Sequence, residues 1–284
     1  MRKILIAGSD SFIGTNLEAW LKKRPGDYSI DALDMQNSLW KHADFSQYDA
    51  LLYVAGIVHH KETKINKALF YKVNRDLTYA VAKKAKAGGV KQFIFLSTMN
   101  VYGVESGIIH ESSPLHAKST YGKSKLQAEE LLDTLEDRHF KLAIIRPPMV
   151  YGRGAKGNYR SLAKLAAKVP VFPDIDNKRS MIYIANLCEF IKQLIDNEDR
   201  GVFFPQNSHY VNSSEMVKLI AEAHGRRIWL TQRFNPLLRF MNLKIINKVF
   251  GDLGYAMDMS EYKSEYRVYG FRDSVLESEG QEHE

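Results

Sequence analysis

Lys3-Ile4-Leu5-Ile6-Ala7-Gly8-Ser9-Asp10-Ser11-Phe12-Ile13-Gly14 is the stretch on which the fold turns. Its first five residues form an apolar run closing on Gly8, the pattern of a short strand buried on both faces of a parallel sheet. A Gly/Ser/Asp turn follows. Ile13, Leu17, Trp20 and Leu21 then recur at i, i+4, i+7 and i+8, which predicts a helix with one apolar stripe, ended by Pro25-Gly26. A turn in this place sits at the positive end of the helix dipole, where backbone N–H groups can hold a dinucleotide's pyrophosphate, and a Cβ would block the approach. Gly8, Ser11, Phe12, Ile13 and Gly14 are therefore candidate cofactor contacts. Two glycines in a turn are a weak pattern; placement at the first βα turn gives it force.

Outward from this stretch the alternation continues. Strands are predicted at Tyr28 to Leu33, Ala50 to Ala55, Gln92 to Leu96 and Lys141 to Ile145, and helices from about Lys67 to Ala87 and Thr120 to Leu135. Strands alternating with helices imply right-handed crossovers, hence an α/β, Rossmann-type doubly wound parallel sheet over residues 1–150. From Tyr151 the rhythm is lost, and Gly152, Gly154, Gly157, Pro170 and Pro173 punctuate shorter elements. A smaller C-terminal substrate lobe is expected over 151–284, with residues about 180–200 packing back on the first domain. One helix in it is well marked: Asn212-x-x-Glu215 reads as a capping box, Met216, Leu219, Ile220 and Ala223 form a stripe, and Gly225 ends it.

The 284 residues are 45% hydrophobic and 26% charged, which disfavours disorder, collagen-like repetition and a disulfide scaffold. The single cysteine, Cys188, reads as a buried hydrophobe. No CxxC or His/Cys cluster suggests a metal, and the adjacent His59-His60 lack a third ligand. The net charge of +7 permits small phosphorylated ligands. The densest basic stretch, Arg226-Arg227 to Lys248, lacks the interleaved rings of a stacking platform, so no nucleic acid is expected. No apolar run approaches the ~20 residues of a membrane span, and Met1 to Gly8 is too short for a secretory signal. No membrane partner and a cytoplasmic location are expected.

Tyr121-Gly122-Lys123-Ser124-Lys125 places a phenol and an ammonium at i and i+4 on one helix face. A tyrosine with a reference pKa near ~10 needs a cation beside it to act as a base at neutral pH. Lys125 can supply that cation. Ser97-Thr98, closing the preceding strand, adds a hydroxyl able to share a proton with the substrate oxygen that Tyr121 deprotonates. Asp34 follows Gly8 by 26 positions, near the spacing at which an acidic residue binds the ribose of NAD; Asp31 competes for that place.

Together these residues resemble the extended short-chain dehydrogenase/reductase family, in its NAD-dependent epimerase/dehydratase branch, over nearly the whole chain. The family's glycine turn, GxxGxxG, is matched by Gly8 and Gly14, with Ser11 in place of the middle glycine. The resemblance implies that Asp44-Phe45 contacts the adenine, that Ala55-Gly56 and Pro147 lie beside the cofactor, and that Asn74 supports the active site. Ser97-Thr98-Met99-Asn100-Val101-Tyr102-Gly103 is similar to the family's Ser-Ser/Thr-x-x-Val-Tyr-Gly signature. By that likeness Thr98 is the catalytic hydroxyl, with Ser97 as the fallback and a cofactor contact, and Asn100 faces substrate. Tyr121 and Lys125 match YxxxK. Arg179, within Arg179-Ser180-Met181-Ile182-Tyr183, matches an arginine that binds a sugar-nucleotide diphosphate, a task suited to bidentate guanidinium contacts.

The implied cofactor is NAD and the implied substrate a UDP-sugar. A 4,6-dehydratase of the branch carries Asp-Glu after the catalytic Thr, whereas Met99 and Asn100 stand here, and neither serves as acid or base; dehydration is disfavoured. The first reading is a UDP-sugar 4-epimerase acting on UDP-glucose or a UDP-N-acetylhexosamine through a 4-keto intermediate. The alternatives are an NAD(P)H-dependent UDP-4-keto-hexosamine reductase for surface-polysaccharide precursors and a non-catalytic NAD-binding regulator. Retention of Tyr121, Lys125 and Thr98 speaks against the regulator. Outward-facing helices at 67–87 and 120–135 form a dimer contact in the family, so a homodimer is expected by resemblance.

Overall fold

The strands that carry the longest apolar runs make a single sheet. In the computed structural model, which describes residues 1–58, 62–63, 65–235 and 250–280, the chain opens with β1 (Arg2–Ala7), α1 (Phe12–Lys22), β2 (Tyr28–Leu33) and β3 (Ala50–Tyr53). There follow α2 (Lys67–Tyr71), α3 (Thr78–Ala87), β4 (Gln92–Leu96), β5 (Gly107–Ile109), α4 (Thr120–Asp133) and β6 (Lys141–Ile145). The remainder comprises β7 (Met149–Tyr151), α5 (Asn158–Ala166), β8 (Val171–Pro173), β9 (Met181–Tyr183), α6 (Ile184–Asn197), β10 (Gly201–Phe203), α7 (Ser213–Ala223), β11 (Trp229–Thr231), β12 (Leu253–Tyr255) and α8 (Phe271–Glu279). The His59-His60 pair lies outside the described residues.

Six strands pair in the order β10-β6-β4-β3-β1-β2, all parallel. The doubly wound sheet expected from the sequence is therefore present, with its reversal of strand order between β1 and β3, the place where such folds bind ligands at the strands' carboxyl ends. One face buries Leu5, Ala7, Leu51, Tyr53, Phe93, Phe95, Leu142 and Ile144 with Val81, Ala82 and Ala85 of α3 and Ala128 and Leu132 of α4. Alternation sends Ile4, Ile6, Leu52, Ile94 and Ala143 to the other face, all fully buried. Burial on both faces is why these strands read as continuous apolar runs.

The predicted helix from Lys67 to Ala87 runs unbroken, but its middle, Lys72–Leu77, is wound as a π-helix. Such an insertion is costly and recurs at functional sites. Here it carries Asn74, which is fully buried.

The chain divides into two compact units: the first holds 1–103, 114–147 and 188–204, the second 104–113, 148–187 and 205–284. In the second unit β7 pairs β9, β8 pairs β11 and β12 pairs β5, each a two-stranded parallel sheet. Tyr151 and Phe172 are buried at 0% and 2% exposure and pack this unit, and the Tyr151 hydroxyl bonds Ser274 and Asn207. α7 begins and ends where the sequence marks it: Asn212 accepts from the Ser214 and Glu215 N–H groups, and Gly225 has φ of +68°. Cys188 is a free, buried thiol.

Candidate active site

Gly8 takes φ of +120°, where an L side chain is strained, and a Cβ on it would stand 2.8 Å from the Ala55 nitrogen. The turn after β1 and the exit of β3 thus press together backbone to backbone. Ser11, which replaces a family glycine, is the N-cap of α1: its hydroxyl accepts from Gly14 N–H at 3.0 Å and donates to the Gly8 carbonyl at 2.7 Å. Its side chain is turned back into the loop, and the Phe12 and Ile13 N–H groups remain without intrahelical partners, as at any helix start. A Cβ on Gly14 would meet Ser11 Oγ at 2.6 Å and the Gly8 carbonyl at 3.0 Å. The cradle therefore fits a pyrophosphate and would be filled by larger side chains.

Asp34 follows β2 directly, its carboxylate accepting from Gln36 N–H and the Asn37 amide, each at 2.8 Å. Its competitor Asp31 lies within the strand and accepts from the Tyr48 hydroxyl at 2.8 Å. Only Asp34 stands at the carboxyl end of the sheet. Asp44 is exposed, and the Ser46 N–H holds its carboxyl below the ordinary range. The Phe45 ring departs from expectation: it is 2% exposed in the sheet's core, under Lys84 Nζ at 5.0 Å, so its side chain is committed to packing. Any contact there is left to Asp44 and the main chain.

α4 starts at two carboxyl and hydroxyl caps. Ser119 Oγ accepts from Gly122 N–H at 2.9 Å, and Glu62 accepts from the Thr120 and Tyr121 N–H groups, both at 3.0 Å. Tyr121 is half-buried; burial pushes its phenol up to about 12, with the Thr98 hydroxyl acting in the lowering direction. One turn on, Lys125 is 3% exposed. Its Nζ donates to the Leu96 carbonyl at 2.8 Å and lies 4.6 Å from the Phe95 ring centroid. Burial pushes Lys125 down to about 7, opposed by the charge of Glu129.

Asn74 ties three pieces together. It accepts from Ile57 N–H at 2.8 Å and donates to the Ile57 carbonyl and to Ser124 Oγ, both at 3.1 Å. Gly56 sits against it: a Cβ there would meet Asn74 Oδ1 at 3.0 Å and Lys125 Nζ at 3.5 Å. Asn100 donates its N–H to Thr98 Oγ1 at 3.2 Å, and Pro147 accepts from Met99 N–H at 3.1 Å. The first unit thus brings Ala55, Gly56, Asn74, Thr98, Tyr121 and Lys125 into one cluster.

Ser97 does not offer a free hydroxyl. Its Oγ bonds the buried Glu129 carboxylate, which is clamped by Arg146 with Nη2 at 2.6 Å, while Arg146 Nη1 donates to the Tyr102 hydroxyl at 2.9 Å. Sequence reading missed Glu129 and Glu62. Glu129 was detectable as a carboxylate four residues after Lys125 on a face otherwise holding Ala128 and Leu132; Glu62 had no local signal. Arg179 belongs to the second unit, where it is half-buried and donates to the Gly251 carbonyl at 2.7 Å; burial lowers its pKa. Among the described residues no group of three or more His, Cys, Asp or Glu could hold a metal ion.

The model of the NAD dependent epimerase/dehydratase family matches residues 4–205. This chain belongs to that family. Its cofactor is accordingly NAD. A UDP-glucose 4-epimerase of Vibrio cholerae is 32% identical over 277 residues, covering 88% of this chain and 83% of that protein. An N-acetyl-alpha-D-glucosaminyl-diphospho-ditrans,octacis-undecaprenol 4-epimerase of Escherichia coli O157:H7 is 29% identical over 79% of this chain and 73% of its own length. A UDP-2-acetamido-2,6-beta-L-arabino-hexul-4-ose reductase of Pseudomonas aeruginosa is 24% identical over 81% of this chain and 59% of its own. Among solved structures, a dTDP-4-dehydrorhamnose reductase of Clostridium acetobutylicum superposes with TM-score 0.75 at 18% identity, covering 97% of this chain and 98% of that one. The UDP-Glc/GlcNAc 4-epimerase of Campylobacter jejuni superposes with TM-score 0.72 at 20% identity, covering 98% of each chain. Members of this enzyme family include epimerases, reductases and dehydratases.

Proposed function

We propose that this protein is a UDP-sugar 4-epimerase working through a 4-keto intermediate. The observation that carries the reading is the placing of Tyr121 one turn before the buried Lys125 on α4, with Lys125 Nζ donating to the Leu96 carbonyl at the end of β4, two residues before Thr98. NAD, when bound, supplies a hydride acceptor that afterwards returns the hydride. In this assignment the Gly8 to Gly14 turn holds its pyrophosphate and Asp34 its adenosine ribose. Asp44, Ala55-Gly56 and Pro147 lie along it, and Lys125 holds the nicotinamide ribose.

Tyr121 takes the proton of the sugar C4 hydroxyl as general base and later gives it back. Burial, only partly opposed by Thr98, holds the phenol at about 12, too high for a base at neutral pH, so its ionisation depends on positive charge beside it. Lys125 contributes that charge when protonated. Thr98 shares the proton of the substrate oxygen, its hydroxyl held by the Asn100 N–H at 3.2 Å. Ser97, engaged by Glu129, is assigned to holding the strand end. Met99 and Asn100 provide no carboxyl group for elimination, which sets dehydration aside. Arg179 is assigned to the substrate diphosphate, and Asn100 to the sugar.

Support for epimerisation over reduction comes from the 32% identity with the Vibrio cholerae epimerase over 88% of the chain. The second reading, a UDP-4-keto-hexosamine reductase, uses the same Tyr, Lys and Thr and draws on the Pseudomonas aeruginosa relative at 24% identity. The test is incubation of the purified protein with UDP-glucose and UDP-N-acetylglucosamine without added cofactor, followed by anion-exchange chromatography. Formation of the C4 epimer supports the first reading. No conversion even with NAD, together with consumption of a UDP-4-keto sugar by NADH or NADPH, supports the second.

A further inference from the structure

Charge is spread unevenly along this chain. From Pro148 to Pro173 the sequence has five Lys or Arg and no Asp or Glu; from Ala223 to Gly251 it has six and none. The other 29 Lys and Arg are outnumbered by 33 Asp and Glu, so the whole excess of +7 comes from these two stretches. The second unit sets residues 226–231 of the second stretch beside residues 166–173 of the first. β8 and β11 pair with Val171 opposite Trp229, the Trp229 N–H donates to the Pro170 carbonyl at 3.0 Å, and Arg226 Nη1 reaches the Ala166 carbonyl at 3.2 Å.

Register partners in a parallel pair project to the same side of the sheet. Here that side is solvent: Trp229 is 76% and Val171 41% exposed, while Phe172, one residue on, is buried. Leu165, at the end of α5, is also exposed, as are Arg160, Lys164, Lys168 and Arg227. An exposed indole with aliphatic neighbours beside exposed Lys and Arg has the composition of a bilayer interface contact; a carboxylate that meets these two stretches, Glu279, is engaged by Tyr159 and His224. The indole sits at headgroup level, the aliphatic side chains enter the acyl boundary, and Lys and Arg attract anionic headgroups. A nucleic acid would want successive stacking rings, and a second copy of the same face would set like charges together.

We propose that this face of the second unit docks peripherally on an anionic lipid bilayer. The inference goes beyond the catalytic reading and does not depend on it. No helix among the described residues is long and apolar enough to cross a membrane. The expectation of no membrane partner rested on the lack of a spanning run, and a surface contact requires none.

The test is co-sedimentation of the full chain with phosphatidylethanolamine/phosphatidylglycerol vesicles and with phosphatidylcholine vesicles, at roughly 50 and 500 mM salt. Binding is expected to the anionic vesicles alone, and to be lost at the higher salt. Trp229→Ser and the double variant Lys164→Glu/Lys168→Glu should each weaken it at least ~fivefold. Their thermal melting should stay at the wild-type value, because the altered side chains are exposed; this separates lost docking from lost folding. Absence of binding to anionic vesicles at low salt, or unchanged binding in both variants, would overturn the proposal. So would a single-stranded oligonucleotide that displaces the vesicles at equal charge concentration, which would favour a nucleic acid.

Discussion

Tyr121→Phe removes one oxygen and leaves the ring that fills the site. Turnover of the epimerised sugar nucleotide should fall by ~10²–10⁴-fold with its binding, read by calorimetry, nearly unchanged. Lys125 gives a prediction in pH. Its folded pKa is depressed to about 7 from 10.5, so between these values the unfolded chain binds the extra proton. Lys125 therefore costs stability fully below about 7, and the cost is relieved as pH rises toward 10.5. Against Lys125→Met, the wild type should gain several kcal/mol between pH 6 and 10, on the order of ~1.4 kcal/mol per pKa unit; a gap in denaturant midpoints that stays flat would contradict it. Most of this cluster was legible as residue types: Tyr121, Lys125 and Thr98 stand in a recognisable pattern, and Asp34 was preferred to Asp31 on spacing alone. Ser11 was legible only as a missing glycine. That a serine there would turn inward and cap α1 follows from its N-cap position, which the strand-turn-helix boundary had already implied.

At the scale of elements, the buried Glu129–Arg146 pair joins the middle of α4 to the end of β6, and through Ser97 and Tyr102 to both sides of Thr98. Removing one partner strands the other charge. Glu129→Gln should destabilise by roughly 3–5 kcal/mol in equilibrium unfolding. It should also displace the pH–rate limb that reports Lys125 downward, since Glu129's charge is what raises that group. A displaced limb distinguishes positioning of Lys125 from a merely structural loss. Glu62 caps the same helix from a loop 58 positions earlier than Thr120. Glu62→Ala should cost about 1 kcal/mol in thermal melts, the usual worth of a helix cap. The sequence analysis found neither contact: Glu129 had only its place four residues after Lys125 to mark it, and Glu62 depends on a tertiary approach with no sequence period. The π-helical turn at Lys72–Leu77 was hidden too, because one extra residue in a helix leaves the apolar stripe nearly intact. The three-residue strands of the second unit are too short to show alternation at all.

For the whole molecule, the doubly wound parallel sheet followed from strand-helix alternation, because burial on both faces writes β1, β3, β4 and β6 as nearly continuous apolar runs, whereas the short, exposed edge strand β10 had no such signal. The second unit, built from two-stranded sheets, kept only its capped helix α7 visible in advance. The chemistry assigned to the molecule has one isotopic signature. UDP-glucose carrying deuterium at C4 should, after incubation with the purified protein in ordinary water, yield the C4 epimer with the deuterium still at C4, because the hydrogen leaves and returns as a hydride held within the site. An epimer whose C4 deuterium has been replaced by solvent hydrogen would contradict the account.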